Sequence, residues 1–215
     1  MKSFTVTFLT WKIQMNCLRN NFDNNPSPLH RWEEQKDTWL WLERTVGLDN
    51  VVNRYTGGSA YDYYNLVHTY LEKADEFCII EQDVVPSTDL FFEAINCPYS
   101  LCAAPYYLFP ESTLLPKPEY SCRIVTAAAE NKKPLKLRWV TDKDSFADFY
   151  SLGFVKIHPK WINDFKPEVY YQTNYLFHEL KPTIWSYLDH EISTLTWKHG
   201  LQAHLHFGEI THNHK

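Results

Sequence analysis

The sequence predicts an α/β fold built on a mostly parallel central sheet, and three observations point there. Short runs of β-formers alternate with longer amphipathic segments in the order strand, helix, strand, helix, strand through residue 86. Helix-starting and helix-stopping residues bracket the longer segments. One apolar run, Phe77-Cys78-Ile79-Ile80, has no helical period and reads as a strand covered on both faces. Strands joined through helices imply right-handed crossovers and parallel pairing.

Phe4-Thr5-Val6-Thr7-Phe8-Leu9-Thr10 alternates β-formers and is the first strand. Residues 20–26, Asn- and Pro-rich, form a loop. Ser27-Pro28 then makes an N-cap and first-turn pair for a helix carrying Trp32, Trp39, Leu40 and Val46 and stopping at Gly47. Asn50 to Tyr55 is a second strand, closed by Gly57-Gly58. Ser59 caps a second helix, bearing Tyr63, Leu66, Val67, Tyr70 and Leu71, which leads into the acidic strand. A short helix over Asp89 to Ile95 and a strand over Ser100 to Ala104 follow, with Pro105 closing the strand. Residues 110–135, rich in Pro, Lys and Glu, read as an insertion or loop. Residues 149–157 are an apolar strand with a close backbone approach at Gly153. Pro182 to His199 is a helix whose residues Ile184, Trp185, Leu188, Ile192 and Leu195 share one arc, with Gly200 just beyond its end.

Length bounds the chain at one domain: 215 residues are enough for a substantial core. A net charge of −5 with no Lys/Arg block argues against a nucleic-acid-binding face. The one basic cluster, Lys132 to Arg138, reads as a solvated loop. Aromatic residues reach 16%, a surplus that lines sugar- or base-binding clefts or simply fills a core. The five cysteines show no zinc-ribbon spacing, and Cys78 and Cys102 sit in apolar runs as small core residues of a reducing compartment. No apolar run approaches the roughly 18 to 20 residues of a membrane span, and the first residues lack a signal-peptide core. The expectation is a cytoplasmic protein with no transmembrane segment.

The chemistry concentrates in two places. The buried-strand run ends in Glu81-Gln82-Asp83, two carboxylates spaced i, i+2 that point the same way in extended chain. Acids are seldom buried unless paired or holding a metal, and ligands of open α/β sheets gather at the carboxyl ends of strands. Such a pair suits a divalent cation holding a diphosphate, and two solvated acids at a turn are the plain alternative. The second place is the C-terminal quarter, where six of the ten histidines fall between residues 190 and 214. There His204-Leu205-His206 and His212-Asn213-His214 each put two imidazoles on one strand face. Asp189 and Glu191 lie at the two edges of the apolar arc of the preceding helix.

Taken in order, these pieces resemble the glycosyltransferases of the GT-A fold, the nucleotide-diphospho-sugar transferases. Glu81-Gln82-Asp83 is similar to the Asp-X-Asp motif that closes a buried strand in that superfamily, with Glu in place of the first Asp. Many members also carry a Glu-Asp pair, a Gly eleven residues after the Asp, and a His about a dozen residues further on. Here Asp189 precedes Gly200 by eleven residues, and His212 and His214 fall in the His region. Leu188 replaces the first acid of that pair and Leu195 replaces an Arg, so the match is partial.

The resemblance implies a single GT-A-like domain over 1–215. A Rossmann-like nucleotide-sugar half would cover 1–105, and an acceptor and metal-completing half 106–215. It implies transfer of a sugar from a nucleotide-diphosphate donor to a hydroxyl of a glycan or other acceptor. Mn²⁺ or Mg²⁺ would be held by Asp83 and Glu81 with His206, His212 or His214. Asp189, or Glu191 beside it, would be the acceptor-side base. Thr10, Trp11, Asn53, Arg54, Tyr55 and Gln82 would join Glu81 and Asp83 around the nucleotide, since the first two strands end beside the acidic one. Two other readings fit the same residues. One is a hydrolase with zinc on His204, His206, His212, His214 and a carboxylate. The other is a non-catalytic carbohydrate-binding protein built from the aromatic surplus.

Overall fold

The computed structural model describes residues 5–9, 29–54, 76–81, 83–108, 118–127, 136–157 and 186–212. Its centre is a seven-stranded sheet. Strand β1 (Thr5–Leu9) lies between β2 (Val51–Arg54) and β3 (Phe77–Glu81) and runs parallel to both. Helix α1 (Leu29–Thr45) precedes β2, as a parallel crossover requires. It ends where expected: Gly47 has φ 79°, and the N–H groups of Val46 and Gly47 both donate to the Leu42 carbonyl. The expected helix between β2 and β3 lies outside the described residues.

Past β3 the sheet departs from the expectation. Strand β11 (Phe154–Ile157) inserts antiparallel between β3 and β5 (Leu101–Ala103). Strand β12 (Ala203–Leu205) then pairs parallel with β5, and β10 (Phe146–Ala147) closes the edge antiparallel to β12. The fold is therefore mixed α/β, and the expectation of a mostly parallel sheet holds only for β2-β1-β3 and for β5-β12. The described chain between β5 and β11 contains strands and no helix, so nothing there imposes a parallel crossover.

Those intervening strands correct a second expectation. Within 110–135, read as loop, β7 (Glu119–Tyr120) pairs with β6 (Tyr107–Leu108), and β8 (Arg123–Ala127) pairs with β9 (Lys136–Trp139). Both ladders are half-exposed ribbons, so their strands lack the apolar run by which a buried strand is recognised. The short helix is α2 (Thr88–Asn96), capped by Ser87, whose Oγ accepts from the Leu90 N–H. The last helix is α3 (Ser186–Lys198), with Gly200 beyond it at φ 72°. The tail then forms β12 and, after a turn, β13 (Ile210–His212), which pairs antiparallel with β4 (Val84–Pro86).

The sheet buries both faces. Phe77, Ile79, Val155 and Ile157 pack with Ile192 of α3 on one side. Cys78, Ile80 and Phe154 pack with Leu42 of α1 and with Leu90, Phe91, Ala94 and Ile95 of α2 on the other. Phe91 stacks on Phe154 at 6.1 Å between centroids and meets the edge of Trp41 at 5.3 Å. Full burial of an aromatic or aliphatic side chain of this size contributes about 1.5–3 kcal/mol, which is why the apolar run of β3 anchors the sheet. Lys156 is the exception among these inward residues, at 1% exposure. Its ammonium donates to the carbonyls of Ile95 and Cys97, satisfying groups that the end of α2 leaves open. No described helix is long and apolar enough to cross a membrane.

Candidate functional site

Three parallel strands end level with one another. Leu9 is the register partner of both Arg54 and Glu81, so Arg54 and Glu81 stand two strand spacings apart, about 10 Å. The chain turns just after Glu81, and Asp83 sits in that turn at 1% exposure. Strand β4 then leaves the main sheet to pair with β13, which brings the tail back over the turn: His212 is the partner of Val84. This register sets His212 Nε2 at 3.5 Å from Asp83 Oδ2, with both side chains almost fully buried. The separation is longer than a good hydrogen bond, and the attraction is ionic when the imidazole is protonated.

Tyr106 joins this pair to a second acid. Its ring lies 4.5 Å from that of His212, and its hydroxyl is 2.6 Å from Ser151 Oγ. The Tyr106 phenol titrates well above its ordinary range, first because it is buried and then because the Glu81 charge lies nearby. Asp189, in the first turn of α3, accepts from the Leu152 N–H at 3.3 Å. Burial, then the Glu81 charge, push its carboxyl up to about 8, against the pull of the Leu152 N–H and the Ser151 hydroxyl. Glu81 is thus felt by both Tyr106 and Asp189. The end of β3 and the start of α3 thus form an acidic centre of Glu81 and Asp189, and Asp83 lies against His212 on the other side of the Tyr106 ring.

Asp189, alone among these acids, lines a cleft of about 500 Å³ that Tyr106, Ser151, Arg123 and Trp139 also wall. The Arg123 guanidinium lies 3.9 Å from the centroid of the Trp139 ring, a cation–π contact on the β8-β9 ribbon. Partial burial lowers the Arg123 pKa. The cleft therefore has a carboxyl pushed up to about 8 on one side and a cation on an aromatic plate on the other. Such a surface can take a polyhydroxylated or anionic group against the ring while a carboxylate receives a hydroxyl proton.

Among the residues singled out from sequence, Glu81, Asp83, Asp189 and His212 fall in or beside this centre. Asn53 and Arg54 end β2, level with the acidic strand end. Glu191 lies two residues beyond Asp189 on α3. His206 and His204 lie elsewhere: His206 Nδ1 is 2.9 Å from Glu93 Oε1 and its Nε2 is 3.1 Å from His204 Nδ1. Thr10, Trp11, Tyr55, Gln82 and His214 lie outside the described residues. Sequence reasoning did not single out Tyr106, Ser151, Arg123 or Trp139. One signal did point near them: the close approach expected at Gly153 is real, because a Cβ there would meet the Tyr106 ring at 2.6 Å.

No family model matches the chain, and no curated protein matches it. Among solved structures it is similar to A197 from STIV, at 15% identity and TM-score 0.40, covering 75% of this chain and 68% of that one. It is also similar to a Bacillus anthracis protein assigned as a glucose-1-phosphate thymidylyltransferase, solved with a sucrose. That match has 13% identity and TM-score 0.42, over 96% of this chain and 86% of the other. Scores this low do not establish a shared fold, and the functional reading rests on the residues of the acidic centre.

Proposed function

We propose that the chain is a glycosyltransferase that moves a sugar from a nucleotide-diphosphate donor to an acceptor hydroxyl with the help of a divalent cation. The observation that carries this reading is the pairing of Glu81 with Asp189 where β3 ends, with buried Asp83 in the turn that follows and a cleft beside Asp189 that has Arg123 and Trp139 on its wall. Residues 1–105 would supply the donor half and residues 106–215 the acceptor half.

Mn²⁺ or Mg²⁺ would be held at the strand end, where Glu81 and Asp83 would offer hard oxygen ligands and His212, 3.5 Å from Asp83, an additional nitrogen ligand. The Glu81 charge also raises the Asp189 carboxyl, and a cation at the strand end relieves that crowding of acids. When bound, the cation supplies charge neutralisation for the departing diphosphate. The chain's own residues do the rest. Asn53 and Arg54, level with Glu81, flank the place for the nucleotide. Asp189 takes the proton of the acceptor hydroxyl as it attacks the sugar carbon, which develops oxocarbenium character. A base whose pKa is near the working pH combines availability with driving force, and burial tunes Asp189 in that direction. Tyr106 and Ser151 hold the backbone beside it, and Arg123 on Trp139 positions the acceptor by its polar and planar surfaces.

Titration calorimetry of UDP and GDP with and without Mn²⁺ tests the reading. Wild type should bind at least one nucleotide only with the cation, and Asp83→Ala should lose that binding while its circular dichroism stays native. Undiminished affinity in the variant, or no nucleotide response in wild type, sinks the assignment.

A further inference from the structure

A second cluster of metal-ligating side chains lies away from the acidic centre, and the proposed transfer reaction makes no use of it. Cys97 follows α2, Cys102 is the middle residue of β5, and His204 is the middle residue of β12, paired in register with Cys102. His206 follows β12 by one residue and points the same way as His204. Leu101, Ala103, Ala203 and Leu205 pack on the face that α3 covers, so Cys102 and His204 turn to the opposite face, beneath the end of α2. Cys97, Cys102 and His206 are buried and His204 is half-buried.

The separations match a metal's first coordination sphere. Tetrahedral zinc, with bonds of about 2.3 Å to sulfur and about 2.05 Å to nitrogen, sets its ligand atoms about 3.3 Å apart for two nitrogens and about 3.6 Å for nitrogen and sulfur. His204 Nδ1 is 3.1 Å from His206 Nε2 and 3.4 Å from Cys97 Sγ. All four candidate donor atoms lie within 4.8 Å of one another. The surroundings resemble an outer shell. Glu93 Oε1 stands 2.9 Å from His206 Nδ1, which leaves Nε2 of that ring as the inward-facing ligand, as in carboxylate–histidine–zinc arrangements. Tyr99 stacks on the His204 ring at 4.4 Å and Phe146 meets its edge at 5.2 Å, fixing its plane.

We propose that Cys97, Cys102, His204 and His206 bind one zinc ion in a closed tetrahedral site that ties the β5-β12 pair to the end of α2. Binding exchanges two thiol protons, released to solvent, for two sulfur–zinc bonds, while the imidazoles ligate through unprotonated nitrogens. Two thiolates balance the charge of the ion, and the neighbouring Lys156 and Glu93 balance each other. Four protein ligands leave no open position for water, so the role is structural and not hydrolytic. Zinc sites of this kind contribute directly to folding free energy.

The full chain, purified without a histidine tag and loaded with zinc, should contain one equivalent of the metal by mass spectrometry. Its melting temperature should fall when a chelator removes the ion. Replacing zinc by Co²⁺ should give strong visible d–d bands of a tetrahedral ion together with a near-ultraviolet thiolate-to-cobalt charge-transfer band. Cys102→Ser and His206→Gln should each lose the zinc equivalent or weaken it at least tenfold, whereas His199→Gln, altering an exposed histidine of the same region, should keep it. If the first two variants do not fold, the wild-type cobalt spectrum still decides, because only cysteine ligation produces the charge-transfer band. A folded wild-type chain that gives no such band, or that keeps full zinc content in Cys102→Ser, overturns the proposal. The four groups are then a metal-free network of thiol and imidazole hydrogen bonds.

Discussion

Gly153→Ala should loosen the candidate site through packing alone. A Cβ at this position would lie 2.6 Å from Tyr106 Cε1, 2.8 Å from its hydroxyl oxygen and 2.9 Å from Cζ. Real Cβ atoms do not approach this closely, and the obstacle is a ring held at both ends. Its hydroxyl is bonded to Ser151, and its face lies against His212. The backbone of Gly153 is outside the left-handed region, so alanine adds no torsional strain and the whole cost is steric. Forcing a methyl group into a packed core costs about 1–3 kcal/mol. Displacing Tyr106 also weakens its hydroxyl bond to Ser151, a further loss of about 1 kcal/mol.

For a domain of this size that sum lowers the melting temperature by roughly 4 to 16 °C, at about 2–4 °C per kcal/mol. Urea denaturation and near-ultraviolet dichroism of Gly153→Ala, Tyr106→Leu and the double variant form the test. The smaller leucine makes room for the methyl group, so the double variant should be more stable than the sum of the single losses predicts, by about 1 kcal/mol or more. Additive losses, or a Gly153→Ala protein within about 0.5 kcal/mol of wild type, would refute the steric reasoning.

Two further predictions concern charge. Asp189→Asn keeps the shape of the side chain but removes the base. Donor binding should therefore persist while transfer falls by a factor of about 10² to 10⁴, and near-wild-type turnover would move the role to Glu191 or another group. Because burial and the Glu81 charge raise the Asp189 carboxyl to about 8, the folded chain without added cation holds a proton that the unfolded chain releases near pH 4. Stability should fall as pH rises through that interval and level off above it, and chemical denaturation across the interval should show a flatter profile for Asp189→Asn. Asp144 behaves oppositely. It accepts two bonds from the Arg138 guanidinium, at 2.6 and 2.8 Å, and others from the N–H and hydroxyl of Thr141, which hold its carboxyl well below the usual range. Its contribution is present above the ordinary carboxylate pKa and disappears as pH falls through the folded value. The stability gap between wild type and Asp144→Asn should therefore shrink in acid, and a gap that widens there would contradict the assignment.

Local signals in the chain were enough to place β1, β2 and β3, the ends of α1 and α3 at Gly47 and Gly200, and the acids at the end of the buried strand. Each depends on interactions within a few residues: the period of apolar side chains, the loss of hydrogen bonds at a helix end, the freedom of glycine at positive φ. The sequence also singled out Asp189, through its spacing to Gly200. It did not determine which strands become neighbours. Strand β11 separates β3 from β5 although it follows them by about fifty residues or more, and no short-range pattern encodes that choice. Its antiparallel entry is what sets Gly153 against Tyr106 and Ser151 beside Asp189.

The cysteines and histidines make the same point. Cys97 and Cys102 are separated by four residues, a spacing zinc sites do use, but the five cysteines show no zinc-ribbon pattern, and His204 and His206 looked like partners of His212 and His214. Only the pairing of β5 with β12 puts Cys102 opposite His204, about a hundred residues later in the chain. The pairing of β4 with β13 draws His212 toward Asp83 instead. Sequence alone singled out most of the acids, histidines and cysteines able to carry chemistry. Strand register, fixed by burial of both sheet faces over long sequence separations, decided which of them meet.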